Sequence, residues 1–244
     1  MNTGWQIKSL GDLCHVIGGG TPSKGKEEYY TGNIPWATVR DMRAELITKT
    51  EYKITAAAVK SSATNIIPSG NVVIATRVGL GKVCMLGQDT AINQDLRGIV
   101  PIHSNTISTR YLFLWLTSVA GLIIAEGTGA TVQGVKLPFI KSLKVPLPTT
   151  TEQQRIVAIL DEVFAGIATA RANAEQNLKN ARELFESHLQ SVFMAQGEGW
   201  VVRPLGELCG FLNGFAFKSN DALTDSGTQL VRMGNLYGSK LDLE

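Results

Sequence analysis

Sulfur and imidazole ligands are scarce in this chain, with three cysteines and three histidines in 244 residues. Cys14, Cys84 and Cys209 stand far apart with no C-x-x-C pair, which argues against a disulfide framework and fits reduced thiols. His15 adjoins Cys14, but two neighbouring ligands without further partners do not make a metal site, so no metal ligand is assigned. Long apolar runs are missing too. Residues 112–116 and 119–125 are too short or too interrupted to span a bilayer, and no signal-peptide core follows Met1. The expectation is a cytoplasmic protein without membrane contact. Hydrophobic residues, at 44%, still suffice for a sizeable core.

Two further absences argue against nucleotide hydrolysis and against amino-methyl transfer. Gly20-Thr21-Pro22-Ser23-Lys24-Gly25-Lys26 fills the first seven positions of the phosphate-binding pattern G-x-x-x-x-G-K-[ST]. Position eight is Glu27, a carboxylate where a magnesium-binding hydroxyl belongs, and the helix that should follow is broken by Gly32 and Pro35. Asn33-Ile34-Pro35-Trp36 resembles the Asn/Asp-Pro-Pro-Tyr/Phe motif of amino-methyltransferases, but its second residue is Ile and no cofactor-binding glycine loop follows a strand. No catalytic residue is assigned.

Net charge is only +2, yet it is unevenly spread. Residues 1–150 hold 15 Lys/Arg against 9 Asp/Glu, a net +6, whereas residues 151–199 hold 4 against 7, a net −3. A mildly basic head suits a phosphate-facing surface.

The head reads as mixed α and β. Trp5, Ile7 and Leu10 should bury one edge of a short amphipathic opening. A strand is expected over 34–42, a β-hairpin over 72–86 with Gly79-Leu80-Gly81 at its tip, and a polar turn feeding a strand over 91–101. One helix is expected over 109–125, with Tyr111, Leu112, Trp115, Leu116, Val119 and Ile123 as its core face, and residues 139–147 should return to the sheet. Two polar glycine loops supply candidate DNA contacts: Thr21, Ser23, Lys24 and Lys26 in the first, and Thr128, Thr131, Gln133 and Lys136 in the second. Arg40, and Arg77 with Lys82 around the hairpin tip, join them, because these residue types reach phosphates and base edges.

Proline is absent from 149 to 203, and between 149 and 196 Gly166 is the single glycine. Pro146 and Pro148 stop the preceding strand. Thr149 then offers an N-cap oxygen, with Glu152 at capping-box spacing. Leu160, Val163, Ile167, Ala170, Ala174, Leu178, Ala181, Phe185, Leu189 and Val192 follow at steps of three and four, a heptad-like seam. At about 1.5 Å per residue such a helix is a rod of roughly 65–70 Å, more than one head can bury, so the seam needs another helix.

Beyond Gly199 the chain repeats itself. Trp5-x-x-x-x-Leu10-Gly11-Asp12-Leu13-Cys14 recurs as Trp200-x-x-x-x-Leu205-Gly206-Glu207-Leu208-Cys209, Gly19 has its counterpart in Gly214, and the strand at 36–42 has its counterpart at 230–236. The organisation is a head over 1–148, a long helix over 149–197 and the start of a second head over 198–244.

Pro146-Leu147-Pro148 with Glu152-Gln153-Gln154-Arg155-Ile156-Val157, together with Leu10-Gly11-Asp12-Leu13, Gly19-Gly20-Thr21-Pro22-Ser23, Asn33-Ile34-Pro35-Trp36, Arg77-Val78-Gly79-x-Gly81-Lys82 and Asn93-Gln94, resembles the specificity subunit of type I restriction-modification systems. The resemblance implies an α+β fold: a target-recognition head that reads half of a split double-stranded DNA sequence, and a coiled-coil helix that spaces two heads and docks methyltransferase subunits. It implies no catalysis and no cofactor in this chain; S-adenosylmethionine, ATP and magnesium belong to the modification and restriction partners. A full subunit carries two heads and two helices. Two copies of this chain pairing their helices antiparallel would present a symmetric split site. The competing reading is a coiled-coil dimerisation module whose head binds protein rather than DNA.

Overall fold

Strand β7 (Val72–Ala75) is buried at all four positions, with Val72 and Ile74 in one apolar cluster and Val73 and Ala75 in another. Alternate side chains of a strand point to opposite faces, so a four-residue apolar run here marks a central strand covered on both sides. Around it lies a five-stranded sheet in the order β2 (Cys14–Gly18), β10 (Leu96–Pro101), β7, β8 (Val83–Leu86), β4 (Leu46–Ile47). A four-stranded sheet runs β5 (Tyr52–Ile54), β3 (Ile34–Ala37), β9 (Thr90–Ile92), β6 (Asn65–Ile67). Strand β1 (Gln6–Ser9) pairs antiparallel with β11 (Lys144–Leu147). These come from a computed structural model that describes residues 4–129, 134–215, 231, 233, 236–237 and 240–241. It divides into two compact units, Met1–Leu178 and Lys179–Glu244.

The hairpin over 72–86 forms as expected, β7 pairing antiparallel with β8. Its tip needs glycine: Gly79 and Gly81 take φ of +68° and +85°, where an L side chain is strained. Three other expectations are corrected. The strand from Ile34 ends at Ala37, because Thr38 and Asp41 form a capping box that winds residues Val39–Asp41 into a 3-10 turn. The helix over 109–125 is two helices, α3 (Thr109–Ser118) and α4 (Ala120–Ala125), separated at Val119. Thr117 and Ser118 turn their hydroxyls back onto the carbonyls of Phe113 and Trp115, at 2.9 and 2.7 Å, a habit that bends helices. Residues 139–147 first complete α5 (Leu137–Ser142) and then reach β1 rather than the large sheet. Of the opening residues, Leu10 is buried in the short helix α1 (Leu10–Leu13), but Ile7 on β1 remains 60% exposed.

Helix α2 (Ala56–Lys60) is capped by Thr55, whose hydroxyl accepts the Ala58 N–H at 3.2 Å. Helix α6 (Thr150–Met194) runs for 45 residues, as the lack of proline predicts. The capping box at its start is half made: the Glu152 N–H reaches Thr149 Oγ1 at 3.4 Å, but the Glu152 carboxylate takes Arg155 at 2.8 Å. Its anchor is Gln153, fully buried. Gln153 Oε1 accepts the Ser108 N–H at 2.9 Å, and Nε2 donates to the carbonyls of Thr106 at 2.9 Å and Pro148 at 3.1 Å. One turn on, Ile156, Val157 and Leu160 pack against the head's core. Arg110 on α3 then bridges Asp161 of the helix and Glu45 of the head. Of the seam residues up to Leu178, Leu160 packs on the head. Val163, Ile167, Leu178, Phe185, Leu189 and Val192 are exposed, and so are Ala170, Ala174 and Ala181.

In the second unit, Phe193 and Trp200 meet edge to face at 6.1 Å, α7 (Leu205–Leu208) is one turn, and β12 (Leu236–Tyr237) pairs with β13 (Lys240–Leu241). The strand expected at 230–236 falls mostly outside the described residues. No described helix is long and apolar enough to cross a membrane, and no described cluster of His, Cys, Asp and Glu could hold a metal ion.

Replacing Gln153 by Leu leaves one backbone N–H and two carbonyls without their buried or half-buried partner, and should cost about 3 kcal/mol in urea unfolding. A loss below about 0.5 kcal/mol would show that these groups find other partners. Thiol titration gives a second check. Burial pushes the Cys14 thiol up to about 12 and that of Cys84 up to about 11, whereas Cys209 is exposed. At pH 8 an aromatic disulfide reagent should modify one thiol in the native protein and three after unfolding.

Candidate nucleic-acid interface

The chain passes from one sheet to the other at Asn93-Gln94-Asp95, between β9 and β10. This turn is built from its own side chains. Asn93 Oδ1 accepts the Asp95 N–H at 3.1 Å, while Asn93 Nδ2 and Gln94 Nε2 donate to Asp95 Oδ2 at 3.0 and 3.2 Å. Gly19 and Gly20 press against it. The Gly20 N–H donates to the Ile92 carbonyl at 3.0 Å, and a Cβ on Gly19 would lie 2.1 Å from the Asn93 carbonyl oxygen. A Cβ on Gly20 would lie 2.6 Å from the backbone of Ala63. The glycine run is therefore fixed by close backbone approach rather than by turn geometry. Trp36 Nε1 donates to the Gly20 carbonyl and to Thr64 Oγ1, both at 3.2 Å, completing the seal.

On the outer side of this junction opens a cleft of about 550 Å³, lined by Thr21, Lys24, Tyr30, Trp36, Arg40, Tyr52, Gln94 and Asp95 among others. Each wall has a local cause. Tyr30 donates its hydroxyl to the Pro22 carbonyl at 2.8 Å, pinning the first glycine loop. Tyr52 stands opposite Trp36 in the β3–β5 register. The capping box at Thr38 places Arg40, which pairs loosely with Glu51 at 3.7 Å. Thr21 hydrogen-bonds Gln94. Arg77 lies 3.7 Å from the buried carboxylate of Asp95. Burial and the nearby Arg77 charge hold the Arg97 guanidinium below its usual value, and Asp95 opposes them.

The cleft thus gathers Thr21, Lys24 and Arg40, with Arg77 at its edge through Asp95. The other candidates stand elsewhere. Lys26 donates to the Tyr29 hydroxyl at 3.1 Å, Ser23 accepts the Lys26 N–H through its carbonyl, and Lys82 is exposed on the hairpin tip. In the second loop, Thr128 and Gly134 exchange backbone hydrogen bonds at 3.1 and 2.9 Å, and the Val135 N–H donates to the Thr76 carbonyl. Lys136 caps α5. Thr131 and Gln133 lie outside the described residues. Sequence reasoning did not select Tyr30, Tyr52, Gln94 or Asp95. The Asn93-Gln94 pair signalled the turn, but nothing local announces that Tyr52 faces Trp36 across a strand pair.

Residues 2–180, the head and most of the long helix, match the family model of the type I restriction modification DNA specificity domain. The chain belongs to that family. It is 37% identical over 162 residues to the Type I restriction enzyme EcoR124I/EcoR124II specificity subunit of Escherichia coli, covering 64% of this chain and 40% of that one. It is 29% identical over 222 residues to the Type I restriction enzyme MjaIX specificity subunit of Methanocaldococcus jannaschii, covering 84% and 51%. The chain therefore spans about half the length of these curated relatives or less. Among solved structures, a chain from a type I R-M system studied for its complex assembly matches with a TM-score of 0.65 at 22% identity, over 79% of this chain and 46% of that one. The HsdS subunit of Thermoanaerobacter tengcongensis matches with 0.57 at 20%, over 69% and 39%. These two likenesses establish the shared α+β fold.

Within this specificity-domain fold the glycine contact makes a sharp test. Gly19→Ala forces a backbone clash and should lower stability by about 1–3 kcal/mol. Gly25→Ala, with nothing nearer than Ser23 Oγ at 3.9 Å, should leave the thermal midpoint almost unchanged. Equal midpoints for the two variants would mean that the junction yields.

Proposed function

We propose that this chain is a DNA sequence-recognition subunit of a type I restriction-modification complex. The head reads one half of a split duplex target. The long helix sets the distance to a second head and docks methyltransferase subunits. The observation that carries this reading is the pairing, in one chain of this family, of a cation-rimmed cleft on the head with a helix whose apolar seam is exposed. The charge division agrees with it: a head of net +6 meets phosphates, while a helix segment of net −3 is kept off them.

On this reading the chain is non-catalytic. S-adenosylmethionine, ATP and magnesium act in the modification and restriction subunits. Two copies pairing their seams antiparallel would offer a symmetric split site, because a two-fold axis across the helices repeats the head at each end.

The test is a gel-shift series on a randomised duplex pool, with and without the purified modification subunit. Selective retention of one sequence class supports the reading, and retention of no duplex under either condition sinks it. In the same assay, Lys24→Ala and Arg40→Ala should each weaken binding to all sequences. Each should also flatten the plot of log affinity against log salt by about one if it meets a phosphate. An unchanged slope removes that residue from the interface.

A further inference from the structure

The cleft at the sheet junction has a composition that a flat groove reader does not need. Three aromatic rings meet there: Tyr30 and Tyr52 each stand edge to face with Trp36, at centroid distances of 6.0 and 6.3 Å. Trp36 is buried, while Tyr52 is 40% exposed and so offers ring surface. The volume of about 550 Å³ lies within the range of pockets that take small molecules. A recess of that volume has room for one planar ring system with its phosphate.

The polar groups are arranged to match. Lys24 and Arg40 supply positive charge among the lining residues, and both are exposed. Gln94 and Asp95 line the same cleft, and the turn occupies part of their capacity: Gln94 Oε1 accepts from Thr21, Gln94 Nε2 donates to Asp95 Oδ2, and a base edge would meet the second amide hydrogen of Gln94 and Asp95 Oδ1. Aromatic surface for stacking, a hydrogen-bonding pair for a base edge and cations for a phosphate are the three elements of single-nucleotide recognition. The surroundings are also preorganised: Tyr30 is tied to Pro22, Trp36 to Gly20 and Thr64, and Gly20 to Ile92, so the recess needs no rearrangement to stay open.

We propose that this cleft binds one unstacked nucleotide, its base against Tyr52 and Trp36, its edge on Gln94 and Asp95, and its phosphate between Lys24 and Arg40. The source of that nucleotide is either a base extruded from bound duplex, which rests on the DNA-recognition reading above, or a free nucleotide, which does not.

The experiment has two arms. In the first, the chain with its modification subunit is titrated with the duplex selected from the randomised pool and with variants carrying a single mismatch at each position. An enzyme or reader that extrudes a base binds more tightly when that base is already unpaired, because the unpairing work is spared. A reader of the intact groove loses affinity at each mismatch it contacts. The expected result is one position at which a mismatch tightens binding about tenfold. Tyr52→Ala should abolish that gain and Tyr52→Phe should keep it. In the second arm, the chain alone is titrated calorimetrically with the four nucleoside 5′-monophosphates. Saturable one-to-one binding, reduced roughly five- to hundred-fold by Tyr52→Ala, assigns the free source.

A mismatch gain that survives Tyr52→Ala belongs to the partner subunit. That result, or weakening at every mismatch, overturns the cleft as a nucleotide site when no monophosphate binds. Selective binding of the perfect duplex is read in the same titrations, so DNA recognition can stand while this proposal falls. If no duplex is selected at all, the monophosphate arm still decides it. Circular dichroism of Tyr52→Ala guards against a folding defect, and Lys24→Gln, at an exposed position, gives an independent loss of phosphate contact.

Discussion

A single buried amide, Gln153, fixes how the long helix leaves the head. The loop before α3 and the prolines before α6 carry backbone groups that no strand or helix pairs. A planar group with one acceptor and two donor hydrogens can satisfy a Ser108 N–H and the carbonyls of Thr106 and Pro148 at once. A carboxylate of the same shape would bring no donors, and a lysine no acceptor. The apolar contacts of Ile156, Val157 and Leu160 then add area, and Arg110 with Asp161 adds direction. The ion pair is partly exposed and contributes little energy by itself. Its role is geometric, since guanidinium pairs are directional.

The junction of the two sheets follows a similar logic. Its frame is backbone pressed on backbone: Gly19 on Asn93, Gly20 on Ala63 and Ile92. Trp36 and Thr64 close it from inside. What stands on the rim is different in kind. Lys24, Arg40 and Tyr52 are exposed. A scaffold whose rigidity lies in glycine contacts and buried hydrogen bonds leaves its rim free to change without loss of fold. That separation is what a recognition domain requires, because contact residues must differ between targets while the platform stays constant.

Features set by local chemistry could be read directly from the sequence. The helix over 150–194 follows from the lack of proline, the hairpin from Gly79 and Gly81, and the turn at 93–95 from its polar residues. The strand from Ile34 is shorter than its β-branched residues suggest because the Thr38–Asp41 capping box overrides their preference. The break in the helix over 109–125 is hidden in the sequence because the period of its apolar residues passes smoothly through Val119, while the back-bonding of Thr117 and Ser118 does not appear in any period. At the candidate site, Lys24 of the first loop lines the cleft and Lys26 does not. The aromatic wall has no local sequence signal, since it depends on the register that sets Trp36 opposite Tyr52. Pairing register between distant strands is a tertiary property.

The internal repeat isolates this distinction. Helices α1 and α7 share the same turn: Cys14 ends the first at φ −139°, ψ 143°, and Cys209 ends the second at φ −136°, ψ 141°. Yet Leu10 and Leu13 are buried, whereas Leu205 and Leu208 are 60% and 61% exposed. Local sequence therefore makes the turn, and burial is supplied from far along the chain. For α1 the supplier is the segment after the second glycine loop. Leu10 donates its N–H to Leu143, β1 pairs with β11, and Gly11 lies against Lys141. The same segment takes the Tyr111 hydroxyl on the Pro146 carbonyl and Gln153 on the Pro148 carbonyl. Closing the head and aiming the helix are thus one structural event, carried by about ten residues from Lys144 to Gln153. A change that loosens β11 should disturb helix direction even though the helix itself is untouched, because both depend on the carbonyls of the same proline-rich strand.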